Sequence, residues 1–316
     1  MRLSGSSMKK LALLIGLVIV VTGFFFVFKK TANTPAVAPS KEESRIQVVT
    51  SFYPLYFVTT EIVGDRATVY NITPSGAEPH DYEPTTQDIA RIEDSELLIL
   101  NGGDIEPWAS DIREILKNSD TKIITTGAEL MSLAEIEDGV KINDPHVWLD
   151  PMLVIKQAEV ILDSLAKADP TNALYYKNNA ATLTAKLESL DKEFKQNLNA
   201  CKKKDIITSH TAFGYLTAAY GFNQVSVTGV SPDEEPSAQQ LAKIAEFAKK
   251  NNVKYIFFET LVSPKLSETI ANEVGAQTLV LNPLEGLNKN EIAAGKNYFT
   301  EMKSNLANLM IALECR

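Results

Sequence analysis

The segment 171–200, TNALYYKNNAATLTAKLESLDKEFKQNLNA, decides the architecture. Asp169-Pro170 stands directly before it, an acidic cap followed by a proline suited to a first helical turn. Inside it Leu183, Leu187, Leu190, Phe194 and Leu198 recur at spacings of 4, 3, 4 and 4, the period of one helix face. At 1.5 Å per residue such a helix is about 45 Å long. A coiled-coil pairing helix needs more heptads than this segment holds. A helix of that length near the middle of the chain is expected to be a stiff connector between two lobes.

On both sides of the connector, short apolar runs alternate with helical periods. Before it, strands are expected at 47–50, 67–72, 97–100 and 122–125, with helices at 54–63, 87–93 and 107–116. Residues 127–145 read as an irregular acidic stretch. Asp150 and Pro151 then open a helix with Val154, Ala158, Ile161 and Leu165 on its buried stripe. After the connector, strands are expected at 205–208, 224–230, 254–259 and 277–281. Helices are expected at 212–220, 237–251, 264–274 and, as one piece, 291–312. Strands that alternate with helices form mainly parallel sheets. The fold class is therefore α/β, with an N-terminal lobe at 46–168, a connecting helix at 169–200 and a C-terminal lobe at 201–316.

The 316-residue chain has an ordinary apolar content of 45%, but its charge is uneven. Residues 1–45 hold seven Lys/Arg against two Asp/Glu; the remainder holds 24 against 38. An acidic body disfavours nucleic acid as a partner and is compatible with a cationic ligand. Residues 11–28, LALLIGLVIVVTGFFFVF, carry no charge and lie between Lys9-Lys10 and Lys29-Lys30. Eighteen apolar residues just span a bilayer. Segment 1–30 is read as an uncleaved membrane anchor, with a cleaved signal as the alternative, and 31–45 as a Thr/Ala/Pro/Ser-rich linker. An extracytoplasmic location follows. It permits a disulfide between the only two cysteines, Cys201 and Cys315, and two free thiols are the other reading.

Three histidines stand in the whole chain, each in a loop rich in donor atoms: PSGAEPHDYEPT around His80, NDPHVWLDP around His146 and TSHTAFGY around His210. His80 and His210 follow expected strands, and Glu285 in NPLEG follows another. Ligand sites collect at the carboxyl ends of parallel strands. Three imidazoles and a carboxylate complete a zinc tetrahedron. Read singly, each residue has a plainer use: a surface histidine, a His146 ring stacked on Trp148, a solvated Glu285.

GAEPHDYEPT (76–85), DPHVWLDP (144–151), SHTAFGYL (209–216), SPDEEPSAQQL (231–241) and NPLEGL (282–287) together resemble motifs of the cluster A-I solute-binding proteins of zinc and manganese ABC importers. The likeness covers residues 46–316. It implies two α/β lobes joined by a rigid helix that limits closure, and a metal site in the cleft between them. It implies His80, His146, His210 and Glu285 as ligands, a receptor without enzymatic activity, a permease partner and action as a monomer. Manganese members replace the third histidine by a carboxylate; His210 therefore points to Zn2+ over Mn2+. Two features depart from the pattern. The stretch 127–143 holds no histidine, whereas many zinc members carry a His-rich loop there. The peptide anchor replaces the family's usual lipid or cleaved signal. The alternatives are a manganese or iron homologue, a zinc-dependent hydrolase with Glu285 as base, and an adhesin, since the family has been linked to cell adhesion. No HExxH supports the hydrolase.

Overall fold

The computed structural model describes residues 45–137, 140–233 and 235–316. The expected anchor at 11–28 lies outside these residues, as does the linker up to residue 44. Among the described residues no helix is long and apolar enough to cross a membrane.

The first half folds around four strands, β1 (Gln47–Thr50), β2 (Thr68–Asn71), β3 (Leu97–Leu100) and β4 (Lys122–Thr125), in the order β2-β1-β3-β4 with every pair parallel. Helices α1 (Tyr53–Val63), α2 (Thr86–Glu93) and α3 (Ala109–Ile115) connect them. After a hairpin, β5 (Ala134–Glu137) and β6 (Val140–Asn143), helix α4 (Pro151–Ala168) leads to α5 (Ala173–Leu198). The second half repeats the plan. Strands β7 (Asp205–Thr208), β8 (Asn223–Ser226), β9 (Tyr255–Phe258) and β10 (Gln277–Val280) form a parallel sheet ordered β10-β9-β7-β8. Helices α6 (Gly214–Tyr220), α7 (Ala238–Lys250), α8 (Lys265–Val274), α9 (Lys289–Ala293) and α10 (Tyr298–Ala312) complete it. Read in chain order, the two sheets have the same strand sequence.

Alternation along the strands divides the core. Val48 and Ile206 join the central cluster, while their neighbours Val49 and Ile207 join separate clusters on the other face of each sheet. Both faces are covered, as parallel sheets require. Helix α5 lies in the centre. Its stripe Leu183, Leu187, Leu190, Phe194 and Leu198 is buried, and it packs on α1 and α4 of the first half and on α6 and α10 of the second. It is 26 residues long, because Pro170–Asn172 forms a separate 3-10 turn capped by Asp169.

Three expectations change. The stretch 127–145 is not wholly irregular: β5 and β6 pair antiparallel with Ala134 opposite Asn143. The helix expected at 291–312 is two helices. Gly295 at φ 77° ends the first, and Asn297 caps the second by accepting from Phe299 and Thr300 N–H groups. A positive φ suits glycine and stops a helix there. The strand expected at 224–230 is also shorter, ending at Ser226.

The loop that carries His80 is closed off by a strong helix start. Thr85 accepts from the Asp88 N–H (3.2 Å), and Asp88 accepts from the Thr85 N–H (2.9 Å) and the Tyr82 hydroxyl (2.7 Å). Burial pushes the Asp88 carboxyl up, but the bonds from Thr85 and Tyr82 outweigh it and hold the group below the usual carboxylate range. Its stabilisation is therefore present above the unfolded value near ~3.9 and is lost as pH falls through the depressed folded value. Asp88→Ala is expected to cost about 1–2 kcal/mol in urea unfolding at neutral pH, and the deficit should shrink in acid.

Candidate metal centre

Four loops at the carboxyl ends of the strands converge on one point. His80 sits in a 3-10 turn, Pro79–Asp81, capped by Glu78, which accepts the His80 N–H at 3.3 Å. His146 precedes the turn Val147–Leu149. His210 lies two residues past β7, and Glu285 follows β10. One ligand atom from each of the four residues lies within 4.8 Å of every other. The structure thus brings together all four residues singled out in the sequence.

The spacing matches a particular coordination. A tetrahedral zinc with bonds of 2.0–2.1 Å requires ligand atoms about 3.3–3.4 Å apart. His146 Nε2 and His210 Nε2 are 3.2 Å apart, and Glu285 Oε1 is 3.2 Å from the first and 3.3 Å from the second. His80 Nε2 stands at 3.7 Å from the same oxygen. His146 and His210 are fully buried and Glu285 is 1% exposed; the His80 side chain is 7% exposed.

The tautomers follow from the outer partners. His146 Nδ1 faces Asp144 Oδ1 at 2.8 Å, and the His146 N–H donates to the same oxygen at 2.9 Å. His210 Nδ1 faces Glu259 Oε2 at 2.8 Å, and its backbone N–H donates to Glu259 Oε1 at 3.2 Å. Each Nδ1–H therefore donates to a carboxylate, and in the neutral form of each ring the Nε2 lone pair is left facing Glu285. Three acceptors so close repel one another unless a positive charge lies between them. Burial pulls the His210 imidazole down, but the charges of Glu259 and Glu285 outweigh it and raise it well above the usual value. Burial likewise opposes His146, but Asp144 and Glu285 raise it. Burial would raise Glu285, yet the charge of His210 and the bonds from all three imidazoles hold it well below the carboxylate range. His80 is lowered by burial, only partly offset by Glu285. Burial and the Glu285 charge push the Glu78 carboxyl up to about 9.

Glu259 is the functional residue that the sequence did not reveal. Thr208 and Ser209, next to His210 in sequence, do not face its Nδ1: the Thr208 hydroxyl donates to the His210 carbonyl, and Ser209 faces Ser267. Glu259 stands just past β9, hydrogen-bonded in the sheet beside β7, 49 residues further on. The only signal was its place at the end of an expected strand. For Glu259→Gln, zinc affinity is expected to fall about 10–100-fold, the range for carboxylates behind ligating histidines, as read by titration against a competing chelator.

The sequence matches the family profile described as ZnuA, zinc-uptake complex component A, periplasmic, over residues 48–312. The chain is 41% identical over 303 aligned positions to the high-affinity zinc uptake system protein ZnuA of Bacillus subtilis, covering 92% of this chain and 95% of that one. It is 37% identical over 326 positions to the zinc-binding protein AdcA of Streptococcus pyogenes serotype M1. That match takes in 97% of this chain but 62% of AdcA, so the chain spans less than two thirds of the AdcA length. Among solved structures, the Zn(II)-bound ZnuA-like domain of Streptococcus pneumoniae AdcA superposes with a TM-score of 0.75 at 39% identity, over 85% of this chain and 99% of that domain. A profile spanning both lobes, and a relative matched almost end to end, decide the lineage: the chain belongs to the ZnuA family of periplasmic zinc-uptake components.

Proposed function

We propose that the protein is an extracytoplasmic zinc receptor that captures Zn2+ between its two lobes and hands it to an ABC permease. His80, His146, His210 and Glu285 would each give one ligand atom. The observation that carries this is the spacing of His146, His210 and Glu285, within about 0.2 Å of a zinc tetrahedron's edges. The relatives named for zinc uptake and zinc binding, and the Zn(II)-bound domain of the same fold, support it. Manganese favours more ligands and more oxygen than three imidazoles and one carboxylate supply. Four protein ligands also fill the positions that a zinc hydrolase leaves open for water. In this reading residues 46–168 and 201–316 are the lobes, 169–200 joins them, 11–28 holds the receptor at the membrane, and the receptor works as a monomer.

The test is metal analysis of protein purified without added metal, which should return one zinc per chain; manganese would overturn the choice of cation. Binding should also expel protons. A ligating imidazole must be neutral, whereas the charges of Glu259 and Glu285 favour the protonated form of His210 when no metal is bound. Calorimetry in buffers of different ionisation enthalpy is expected to show release of about one proton or more per zinc near pH 7. Affinity should decline as pH falls. Binding without proton release would contradict the assigned electrostatics.

A further inference from the structure

We propose that Trp148 is the positioning residue that fixes the distance between His146 and Glu285; the proposal rests on the zinc reading of the site. Trp148 is fully buried. Its indole N–H donates to the Pro283 carbonyl at 2.7 Å, two residues before Glu285. Its own carbonyl accepts the Tyr298 hydroxyl of α10 at 2.8 Å. Its ring lies 5.1 Å from the His146 ring and, on its other contact, 4.7 Å from Phe52. One side chain therefore touches the ring of one zinc ligand and holds the backbone that presents another, 137 residues further on in the chain.

The Glu285 loop requires such a hold. Leu284 has φ 58°, a conformation that a leucine adopts only when its surroundings impose it. Pro283 has no N–H with which to anchor itself. Beyond Leu284, Ser75 Oγ donates to the Leu287 carbonyl at 2.6 Å; the remaining restraints on residues 282–284 come from the C-terminal half. Asn305 of α10 accepts from the Asn282 N–H at 2.8 Å and donates to its carbonyl at 2.7 Å, and Asn282 Oδ1 accepts from the Leu284 N–H at 2.8 Å. Asn305 fixes the loop to the C-terminal half alone. The Trp148 bond is what ties it to the loop of His146. A binding constellation loses efficiency when its groups move by about 0.5 Å, so this one bond governs whether Glu285 Oε1 stays 3.2 Å from His146 Nε2.

The experiment compares wild type, Trp148→Phe and a control, Phe194→Leu, which also loses core volume but lies on α5 against Tyr220. Zinc affinity is read by chelator competition, ligand geometry by the visible absorption of bound Co2+, and stability by Tm. Trp148→Phe keeps an aromatic ring and loses the N–H. It is expected to weaken zinc about tenfold or more and to reduce the intense tetrahedral Co2+ bands. Phe194→Leu should lower Tm with neither effect. Should Trp148→Phe fail to fold, Tyr298→Phe, which removes only the hydroxyl that holds the Trp148 carbonyl, should shift affinity and spectrum the same way by a smaller factor. Wild-type affinity and a wild-type Co2+ spectrum in the folded variant would overturn the proposal alone. A wild-type protein that binds neither zinc nor Co2+ would overturn the zinc reading and this proposal with it.

Discussion

Replacing His210 by alanine should weaken zinc binding by about 10²–10³-fold. Zinc sites built from protein side chains bind with about 10–16 kcal/mol. An equal share for each of four ligands is about 3–4 kcal/mol, which converts to that range of dissociation constants. The fold should survive. The backbone of residue 210 keeps its bonds to Glu259, to the Thr208 hydroxyl and to the Gln224 amide, none of which uses the imidazole. His80→Ala should cost less. Its ring stands farthest from Glu285 at 3.7 Å, and its loop is held at His80 by one long bond from its N–H to Glu78. Zinc ordering that loop must offset part of the gain from the fourth bond. Competition titrations of the two variants side by side decide the matter. An unchanged affinity for His210→Ala would sink the four-ligand site, and a larger loss at His80 would contradict the weaker share assigned to its ring.

What the sequence disclosed and what it concealed divide by distance along the chain. Local signals were clear: Asp150 with Pro151 starts a helix where it stands, because capping uses residues within one turn. The connector's seam was equally clear, since a buried stripe repeats with the helix period. The histidines were legible because each sits in a donor-rich loop, and His80 and His210 also follow expected strands. Asp144, two residues from His146, was within reach of the same reasoning. Glu259 was not, because its relation to His210 depends on which strands are neighbours, and β9 lies beside β7 only once the sheet order is known. The hairpin β5–β6 was missed for another reason. Its strands, AEIE and VKIN, alternate apolar with polar residues, but over only four residues each inside an acidic stretch and with Ile136 exposed, so the pattern was too short to stand out even beside Asp138-Gly139, a favoured hairpin dipeptide. The cysteine pairing stayed open in the sequence because two thiols 114 residues apart say nothing about proximity; the structure joins Cys201 to Cys315.

Breaking that disulfide should destabilise the metal-free protein strongly while leaving zinc affinity unchanged. The bridge closes a loop of sequence separation 114. In the chain-entropy account, a loop of that size raises stability by about 5 kcal/mol through its effect on the unfolded chain. For a folded body of this size that corresponds to a fall in Tm of about 10–15 °C. The native structure has other means of holding the two segments together. The Lys203 N–H donates to the Leu313 carbonyl at 2.9 Å, and Lys254 meets Glu314 at 2.7 Å. Cys201 also lies before the first residue of β7, whereas His210 lies past the last, so the bridge and the metal ligands occupy opposite ends of the strand. A Cys201→Ala/Cys315→Ala variant, melted with a chelator present and titrated with zinc separately, distinguishes the two possible roles. A lower Tm with intact affinity places the effect in the unfolded chain. A fall in affinity as well would mean that tension at the base of β7 reaches His210, and an unchanged Tm would show that the backbone bonds and the Lys254–Glu314 pair already hold the C-terminus without the covalent link.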